Sequence, residues 1–337
     1  MRMTEGGLAS GLLVEEARLP AGQEPPPNVR AIMRVGADFF LRSIDSMARV
    51  MNDDLILSLV YSAMWTANVK HITNSAANIE YGALEHLPPD AMRAPVSAMA
   101  LANSLRMPYE TVRRYVHALL KAGMCVRIGH KGYIVPNDVL ARPSQHKAIL
   151  EGLPSLQRFL GDLKRAEFNF EPYRRVLPNT VPIPPDGATP ANIRSLLRAG
   201  TELILRGIDM LGRLRGDDFL AGLLFTAIWT ANVQHITASP ENLKFGGLHE
   251  LPPDELRRPV TVHALAASLR IPYETLRRTA NRLVQDGVAV RIGNKGLIVP
   301  RHQLVDLDSY DTVRRSYANI VRAVADLHRA GFDFRDY

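Results

Sequence analysis

The heptapeptide Pro-Tyr-Glu-Thr-x-Arg-Arg occurs twice in the sequence, at residues 108–114 and 272–278. On a helix, its polar side chains occupy the faces that stay free once the apolar residues Val112, Val116 and Leu119 are buried. An arginine can donate two hydrogen bonds to O6 and N7 of guanine, and a glutamate can accept one from N4 of cytosine. The pattern therefore favours a helix that reads base edges in the major groove of DNA.

A lysine beside glycines follows each heptapeptide, in Gly-His-Lys-Gly at 129–132 and in Gly-Asn-Lys-Gly at 293–296. The apolar triplets around the first of these, at 126–128 and 133–135, predict two short strands. The sequence thus predicts a β-hairpin with a cationic tip, from which Lys131 or Lys295 reaches the DNA backbone or the minor groove.

The elements that must position these residues are also predicted. Ser97 is a suitable N-cap for a short helix that ends at Leu105, and residues 106–108 break that helix. A second helix runs from about Tyr109 to Ala122 and stops at Gly123. The second copy repeats the same signals from Thr261 through Leu269, Pro272 and Gly287.

A helix, a three-residue turn, a helix and a β-hairpin together resemble a winged helix-turn-helix DNA-binding domain, over about 40 residues in each copy. The second helix is most similar to the recognition helices of the Crp/Fnr, GntR and IclR regulators. The resemblance implies that Tyr109, Glu110 and Arg114 face base edges and that Thr111 approaches phosphate. It implies the same roles for Tyr273, Glu274, Arg278 and Thr275. The flanking helices match none of those families' effector domains, so the resemblance implies no particular ligand.

The candidate DNA-binding residues share exposed positions on these helices and hairpins. They are Tyr109, Glu110, Thr111, Arg113, Arg114, His117 and Lys131 in the first copy, and Tyr273, Glu274, Thr275, Arg277, Arg278, Asn281 and Lys295 in the second. Two alternatives stay open: the arginines merely solubilise an exposed face, or the fold is a protein-docking module. Both copies keep the heptapeptide and the lysine while neighbouring surface positions differ, which favours DNA binding.

A long internal repeat sets the predicted architecture. Residues 28–173 (the first half) align without a gap to residues 192–337 (the second half), and 64 of the 146 paired positions are identical, about 44%. Residues 174–191 contain five prolines and are typical of an extended linker. Residues 1–27 have no counterpart and are expected to form a mobile tail. We predict a mainly α protein with two tandem, duplicated winged-helix domains.

Three flanking helices are expected in each half, near 29–50, 54–73 and 146–166 in the first. The second of them carries no charge from Leu55 to Val69, which favours a central core helix over a membrane span. The third has a short a/d stripe, Ile149, Leu153, Leu156, Leu160 and Leu163, repeated in the second half. This stripe predicts packing either on the domain's own core or between the two closing helices, with a homodimer through these helices as a further expectation.

Several polar residues on the second helix have two interpretations. Asn68, His71 and Ser75 lie on one face, and they form either a structural hydrogen-bond network or an effector pocket beside Trp65; buried polar groups must be paired, which favours the network. The acidic pairs 53–54 and 217–218 are interpreted as helix N-terminal acids that complement the helix dipole. Cys125 aligns with an alanine and is expected to be a small buried core residue.

Composition and motifs exclude other classes of function. The 337 residues are 46% hydrophobic and 22% charged, with a net charge of +7 that favours an anionic partner. A single cysteine excludes an internal disulfide and a cysteine-based zinc site. No phosphate-binding glycine loop, zinc-protease motif or nucleophile elbow occurs, so we expect no enzyme and no cofactor. The N-terminus shows no secretory signal, which favours a cytoplasmic protein.

The sequence therefore predicts a transcription regulator that binds duplex DNA as a single-chain pseudo-dimer. Its half-sites are expected about one helical turn apart, ~34 Å, or a multiple of that, as either an inverted or a direct repeat. A plasmid-type replication initiator with two winged helices and a winged-helix protein scaffold are the alternatives.

Overall fold

A computed structural model describes residues 19, 24–75, 77–182, 184, 188–216, 218–305 and 307–337. The predicted tail lies outside these residues, apart from Leu19 and residues 24–27, and so do parts of the linker. The first half contains α1 (Val29–Val50), α2 (Leu55–Thr73), α3 (Ala77–Glu80), α4 (Ala98–Leu105), α5 (Tyr109–Lys121), β1 (Val126–Ile128), β2 (Gly132–Ile134), α6 (Asn137–Leu140) and α7 (Pro143–Arg165), with 3₁₀ turns at Asp90–Met92 and Glu171–Tyr173.

The second half presents nearly the same order of elements. These are α8 (Ile193–Leu214), α9 (Phe219–Thr237), α10 (Glu241–Lys244), α11 (Val262–Leu269), α12 (Tyr273–Gln285), β3 (Val290–Ile292), β4 (Gly296–Ile298) and α13 (Leu307–Arg329), with 3₁₀ turns at Asp254–Leu256 and Arg301–Leu304. In the described part of the chain the only sheets are the antiparallel pairs β1–β2 and β3–β4. The protein is mainly α, as predicted.

Side-chain caps define where several helices begin. Asp54 and Asp218 accept hydrogen bonds from backbone N–H groups three residues on, at 2.9 and 3.0 Å, and so open α2 and α9. Ser97 and Thr261 cap α4 and α11 in the same way, each at 3.1 Å. The predictions for Asp54 and Ser97 are confirmed, whereas Asp217 lies outside the described residues.

The helices α2 and α9 lie at the centre of the core. An 18-residue stretch of α9 has a mean hydropathy of 1.3 and is the one described segment long and apolar enough to cross a membrane, but 78% of it is buried inside the protein. α2 packs against α1, α4, α5 and α8, which cover nearly all its sides. Both helices therefore have the environment of a core helix that is apolar all round.

The two halves share one continuous core. α1 packs on α2 and α7 of its own half and on α9 and α13 of the other, while α8 packs on α9 and α13 and reaches across to α2 and α7. The closing helices α7 and α13 thus pack mainly on α1 and α8, and the expectation that they pack on each other is wrong. In this arrangement Leu153, Leu156, Leu160 and Leu163 are buried, and Ile149 is half-buried.

Buried arginines connect the halves through reciprocal hydrogen bonds. In one direction Arg34 on α1 donates to the side chain of Asn242 on α10, at 2.8 Å. In the other, Arg198 on α8 donates to the side chain of Asn78 on α3, at 2.9 Å. Each guanidinium also donates to backbone carbonyls of the opposite half. Burial lowers the pKa of Arg34 to about 9, so the group stays a cation at neutral pH.

Aromatic rings lie where the symmetry of these contacts is centred. Phe170 stacks on Phe334, its own counterpart in the alignment, with ring centroids 5.5 Å apart. Tyr337 lies 5.3 Å from Phe170, and Tyr173 lies 6.0 Å from Phe334. Each contact from the first half to the second thus has a counterpart in which the equivalent residues exchange halves. Such reciprocal contacts are typical of surfaces related by a two-fold axis, so an approximate two-fold axis passes between these rings.

Candidate nucleic-acid interface

The turn between α4 and α5 depends on one arginine with a left-handed backbone. Arg106 has φ of 52°, which ends α4, and Pro108 with φ of −55° opens α5. A non-glycine residue pays a steric penalty at positive φ. Here the Arg106 side chain is anchored, since its Nε donates to Asp209 on α8 at 2.8 Å, and Arg270 makes the matching contact with Asp45 on α1. The turn that orients α5 is thereby fixed by the opposite half.

α5 has one buried face and one exposed polar face. Val112, Val116 and Leu119 are at most 1% exposed and pack toward α2 and α4. Glu110, Arg113, Arg114 and His117 are exposed, Tyr109 is 39% exposed, and Thr111 is half-buried. Five of these predicted residues line one shallow concavity: Glu110, Thr111, Arg113, Arg114 and His117.

α12 presents the equivalent face in the second half. Leu276, Ala280 and Leu283 are buried, while Tyr273, Glu274, Thr275, Arg277 and Arg278 are exposed. Asn281 is half-buried, and its side-chain carbonyl accepts a hydrogen bond from Arg291 of β3 at 3.1 Å. The structure therefore groups the predicted helix residues of each half on one face of α5 or α12, whereas Lys131 and Lys295 lie on the hairpins.

Ion pairs within each helix order the charged side chains. Arg113 donates to Glu110 at 2.9 Å, and Arg277 donates to Glu274 at 2.8 and 2.7 Å. The hydrogen bonds from Arg277, with a weaker one from Arg278, hold the pKa of Glu274 at about 2. Glu274 is therefore an ionised acceptor over the physiological pH range.

The two halves differ at one predicted arginine. Arg114 lies over the ring of Tyr115, 5.2 Å from its centroid. Thr279 occupies the place of that tyrosine in α12, and Arg278 instead donates to Glu274 at 3.3 Å. Arg114 and Arg278 thus contact different neighbours within the protein, which favours unequal contacts from the two helices.

A buried asparagine attaches each hairpin to the central helix. Asn68 of α2 donates to the carbonyls of Ala94 and Tyr133, at 2.8 and 3.1 Å, and its Oδ1 accepts from the N–H of Val135 at 2.9 Å. Asn232 makes the corresponding three bonds. The predicted structural network is confirmed for Asn68.

The rest of that network was predicted wrongly. His71 is exposed on the surface of α2, and Ser75 donates only to the carbonyl of Ile72, at 2.9 Å. The turn of α2 that carries His71 is still packed on one side, where Val69 and Ile72 are each 1% exposed, and His71 lies on its open side.

A third backbone segment pairs with the hairpin, which the sequence patterns did not predict. β1 pairs with β2 so that Val126 faces Ile134 and Ile128 faces Gly132, one residue earlier than predicted for the second strand. Val96 forms an additional antiparallel bridge to Tyr133. The exposed Lys131 lies at the tip, where its N–H donates to Ile128 at 2.9 Å.

Two further basic residues lie on the hairpins. Arg127 and Arg291 occupy the centres of β1 and β3, and both are exposed. The contact of Arg291 with Asn281 shows that the strand arginine lies beside the C-terminal part of α12. The identical Val-Arg-Ile triplets of the two halves were the signal that could have identified them.

Other chemistry is not evident in the described residues. They contain no group of three or more His, Cys, Asp or Glu side chains placed to hold a metal ion. Cys125 is buried, as predicted, and burial raises the pKa of its thiol to about 11, so it is not a reactive thiolate at neutral pH.

Comparison with protein-family models, curated proteins and solved structures finds no match to this chain.

Proposed function

We propose that the protein is a sequence-specific regulator of transcription that binds duplex DNA through two winged helix-turn-helix units in one chain. The observation that carries this proposal is the recurrence of one exposed polar face. α5 and α12 present the same tyrosine, glutamate, threonine and arginine pair outward, each from a helix-turn-helix followed by a hairpin.

The arrangement around α5 supports the winged-helix assignment. Three helices, α2, α4 and α5, pack together, and β1, β2 and the bridge at Val96 form a small three-stranded edge beside them. In such a unit the last helix enters the major groove and the hairpin contacts the flanking backbone. Arg114 and Arg278 then contact base edges, Arg113 and Arg277 phosphate or base, and Lys131 and Lys295 the flanking DNA.

The reciprocal contacts between the halves support an inverted repeat as the binding site. The helices proposed to read the bases, α5 and α12, are called the reading helices. Because a two-fold axis relates them, they are complementary to half-sites that are also related by a two-fold axis. The proposal therefore selects the inverted repeat from the two arrangements that the sequence left open. Half-site centres about 34 Å apart, or a multiple of that, place both on one face of the duplex.

The test combines paired variants with DNA titrations. Arg114→Ala with Arg278→Ala is expected to cost about 1–3 kcal/mol per lost base contact, measured by fluorescence anisotropy on a duplex selected from a random library. The matched control is Arg158→Ala with Arg322→Ala, which removes the same charge from equivalent exposed positions on α7 and α13. We expect the control to change the affinity less than about threefold.

Removing the hairpin lysines is expected to change DNA binding in a different way from removing the helix arginines. Lys131→Ala with Lys295→Ala is expected to weaken binding to all sequences alike and to reduce the slope of log K against log salt by about one per lysine. Absence of salt-dependent binding to duplex DNA would contradict the proposal and favour a protein scaffold. Genomic sites confined to iterated repeats at a replication origin would instead favour an initiator.

A further inference from the structure

Each helix-turn-helix unit is tied to the opposite half by the arginine that ends its first helix. Arg106, in the turn between α4 and α5, donates from Nε to Asp209 of α8 at 2.8 Å. Arg270, in the turn between α11 and α12, donates to Asp45 of α1, also at 2.8 Å. Nη1 of Arg270 lies 2.8 Å from Asp53, in the turn between α1 and α2. The repeat alignment pairs position 106 with 270 and position 45 with 209, so the two ion pairs are equivalent.

The backbone of these two arginines is unusual for so long a side chain. Both have φ of 52°, in the left-handed region that closes a helix, where glycine or asparagine is the usual residue. A residue with a Cβ is strained there. A cation at this position in both halves therefore indicates a role for the side chain, and that side chain contacts the opposite half.

The contact at Arg106 holds the turn close to α8. Asp209 is 8% exposed, and its two oxygens accept from Arg106 and, at 3.1 Å, from Arg213. A Cβ at Gly212 would lie 2.6 Å from Cβ and Cγ of Arg106, so the stem of the arginine lies directly against the backbone of α8. A buried carboxylate is costly without its cation, and the ion pair therefore resists separation of the turn from α8.

The turn is also the place from which a displacement reaches the bases. α5 begins at Tyr109, three residues after Arg106, and it packs on α2 and α4 of its own half. The N-terminal residues of a recognition helix are those that contact base edges. α4 packs on α8 of the other half, as α11 packs on α1. Each anchored turn thus links the first residues of a reading helix to a helix of the opposite half.

We propose that Arg106 and Arg270 are positioning residues that set the separation of the two reading helices, and with it the half-site spacing that the protein accepts. They act through the turns and not by contacting DNA. The consequence for DNA rests on the proposed function, whereas the separation of the helices is a property of the protein alone. One base pair changes the distance between half-sites by about 3.4 Å and their relative rotation by about a tenth of a turn, which a fixed pair of helices detects.

The first measurement is made on the full chain without DNA. Spin labels at Lys121→Cys and Gln285→Cys, exposed and equivalent positions at the ends of α5 and α12, report the distance between the helices by double electron–electron resonance. Cys125→Ala removes the native thiol. We expect one narrow distance distribution for this parent. Arg106→Asn with Arg270→Asn keeps a residue that tolerates positive φ but removes the cation, and it is expected to broaden the distribution at least about twofold.

Two further pairs of variants separate anchoring from other effects. Arg106→Lys with Arg270→Lys keeps the cation and is expected to restore the narrow distribution. Arg49→Gln with Arg213→Gln is the matched control, because these arginines donate to the same two aspartates from within their own helices. The control is expected to leave the distribution unchanged. Thermal melting checks that each variant is folded, and if the asparagine pair does not fold, Arg270→Asn alone is measured in its place.

The second measurement uses the selected DNA site. The parent is expected to bind this site at least about tenfold more tightly than sites with one base pair inserted or removed between the half-sites. The asparagine pair is expected to discriminate less than about threefold, with its affinity for a single half-site within about threefold of the parent. Equal distance distributions, or undiminished spacing discrimination, in the asparagine pair would overturn the inference. Absence of DNA binding by the parent would refute the proposed function, and the distance distributions would then decide by themselves whether the arginines set the separation.

Discussion

Replacing Asn68 by alanine tests how the hairpin is held in place. The substitution removes three hydrogen bonds and leaves the N–H of Val135 and the carbonyls of Ala94 and Tyr133 without that partner. Asn68 is fully buried, so water does not replace it. A buried group left unsatisfied costs about 1–3 kcal/mol, and allowing for partial relaxation of the two carbonyls we expect a total loss of about 3 kcal/mol.

The loss converts into a measurable change in melting temperature. An unfolding entropy of about 2.1 cal/mol/K per residue gives about 0.7 kcal/mol/K for a chain of this size, so Tm falls by about 4 °C. Differential scanning calorimetry measures it, and amide hydrogen exchange reports whether the protection of Val135 is lost. The prediction holds equally for Asn232, which makes the same three bonds.

His71→Ala is the matched control, one helical turn further along α2. His71 is exposed, and surface substitutions usually change stability by less than about 0.5 kcal/mol, so Tm is expected to stay within about 1 °C of the parent. Equal melting of the Asn68 and His71 variants would refute the reasoning. Slow exchange at Val135 in the Asn68 variant would refute it independently.

Three further predictions concern single residues. Cys125, buried and with its pKa raised to about 11, is expected to resist alkylation by iodoacetamide in the native protein and to react in urea, as mass spectrometry would show; rapid native labelling would contradict this. Gly132→Ala is expected to destabilise by at least about 2 kcal/mol more than Gly129→Ala in urea titrations, because a Cβ at Gly132 would overlap the backbone carbonyl of Val96 whereas Gly129 faces open space. The pKa of Glu274 is depressed, so its ion pair is complete above the unfolded value of 4.5 and is lost only as pH falls toward 2; carboxyl ¹³C shifts that titrate near 4.5 would contradict the pairing.

Local elements were predictable from the sequence because local signals specify them. Ser97, Pro108 and Gly123 set the ends of α4 and α5, and the spacing of Val112, Val116 and Leu119 gave the buried face. Exposure of the candidate residues on α5 follows from the same spacing. These features need no knowledge of distant contacts.

Packing between the halves was not predictable in this way. Arg34 and Arg198 have the sequence signature of surface cations, yet both are buried, because their partners are carbonyls and asparagine side chains over 100 residues away. The apolar face of α1 has the same pattern whether it packs on one half or on both. The different environments of Arg114 and Arg278 depend on a single neighbour and could not be read from the shared heptapeptide.

The most direct test of the central claim is the symmetry and spacing of the preferred DNA site. Selection from a random duplex library is expected to enrich an imperfect inverted repeat with half-site centres about 34 Å apart or a multiple of that. Because α1 and α8 join the halves in one core, inserting either five or ten base pairs between the half-sites is expected to remove most of the specific affinity. Enrichment of a direct repeat would contradict a two-fold related pair of reading helices. Equal affinity for the selected site and for the sites with five or ten inserted base pairs would contradict a fixed separation between them.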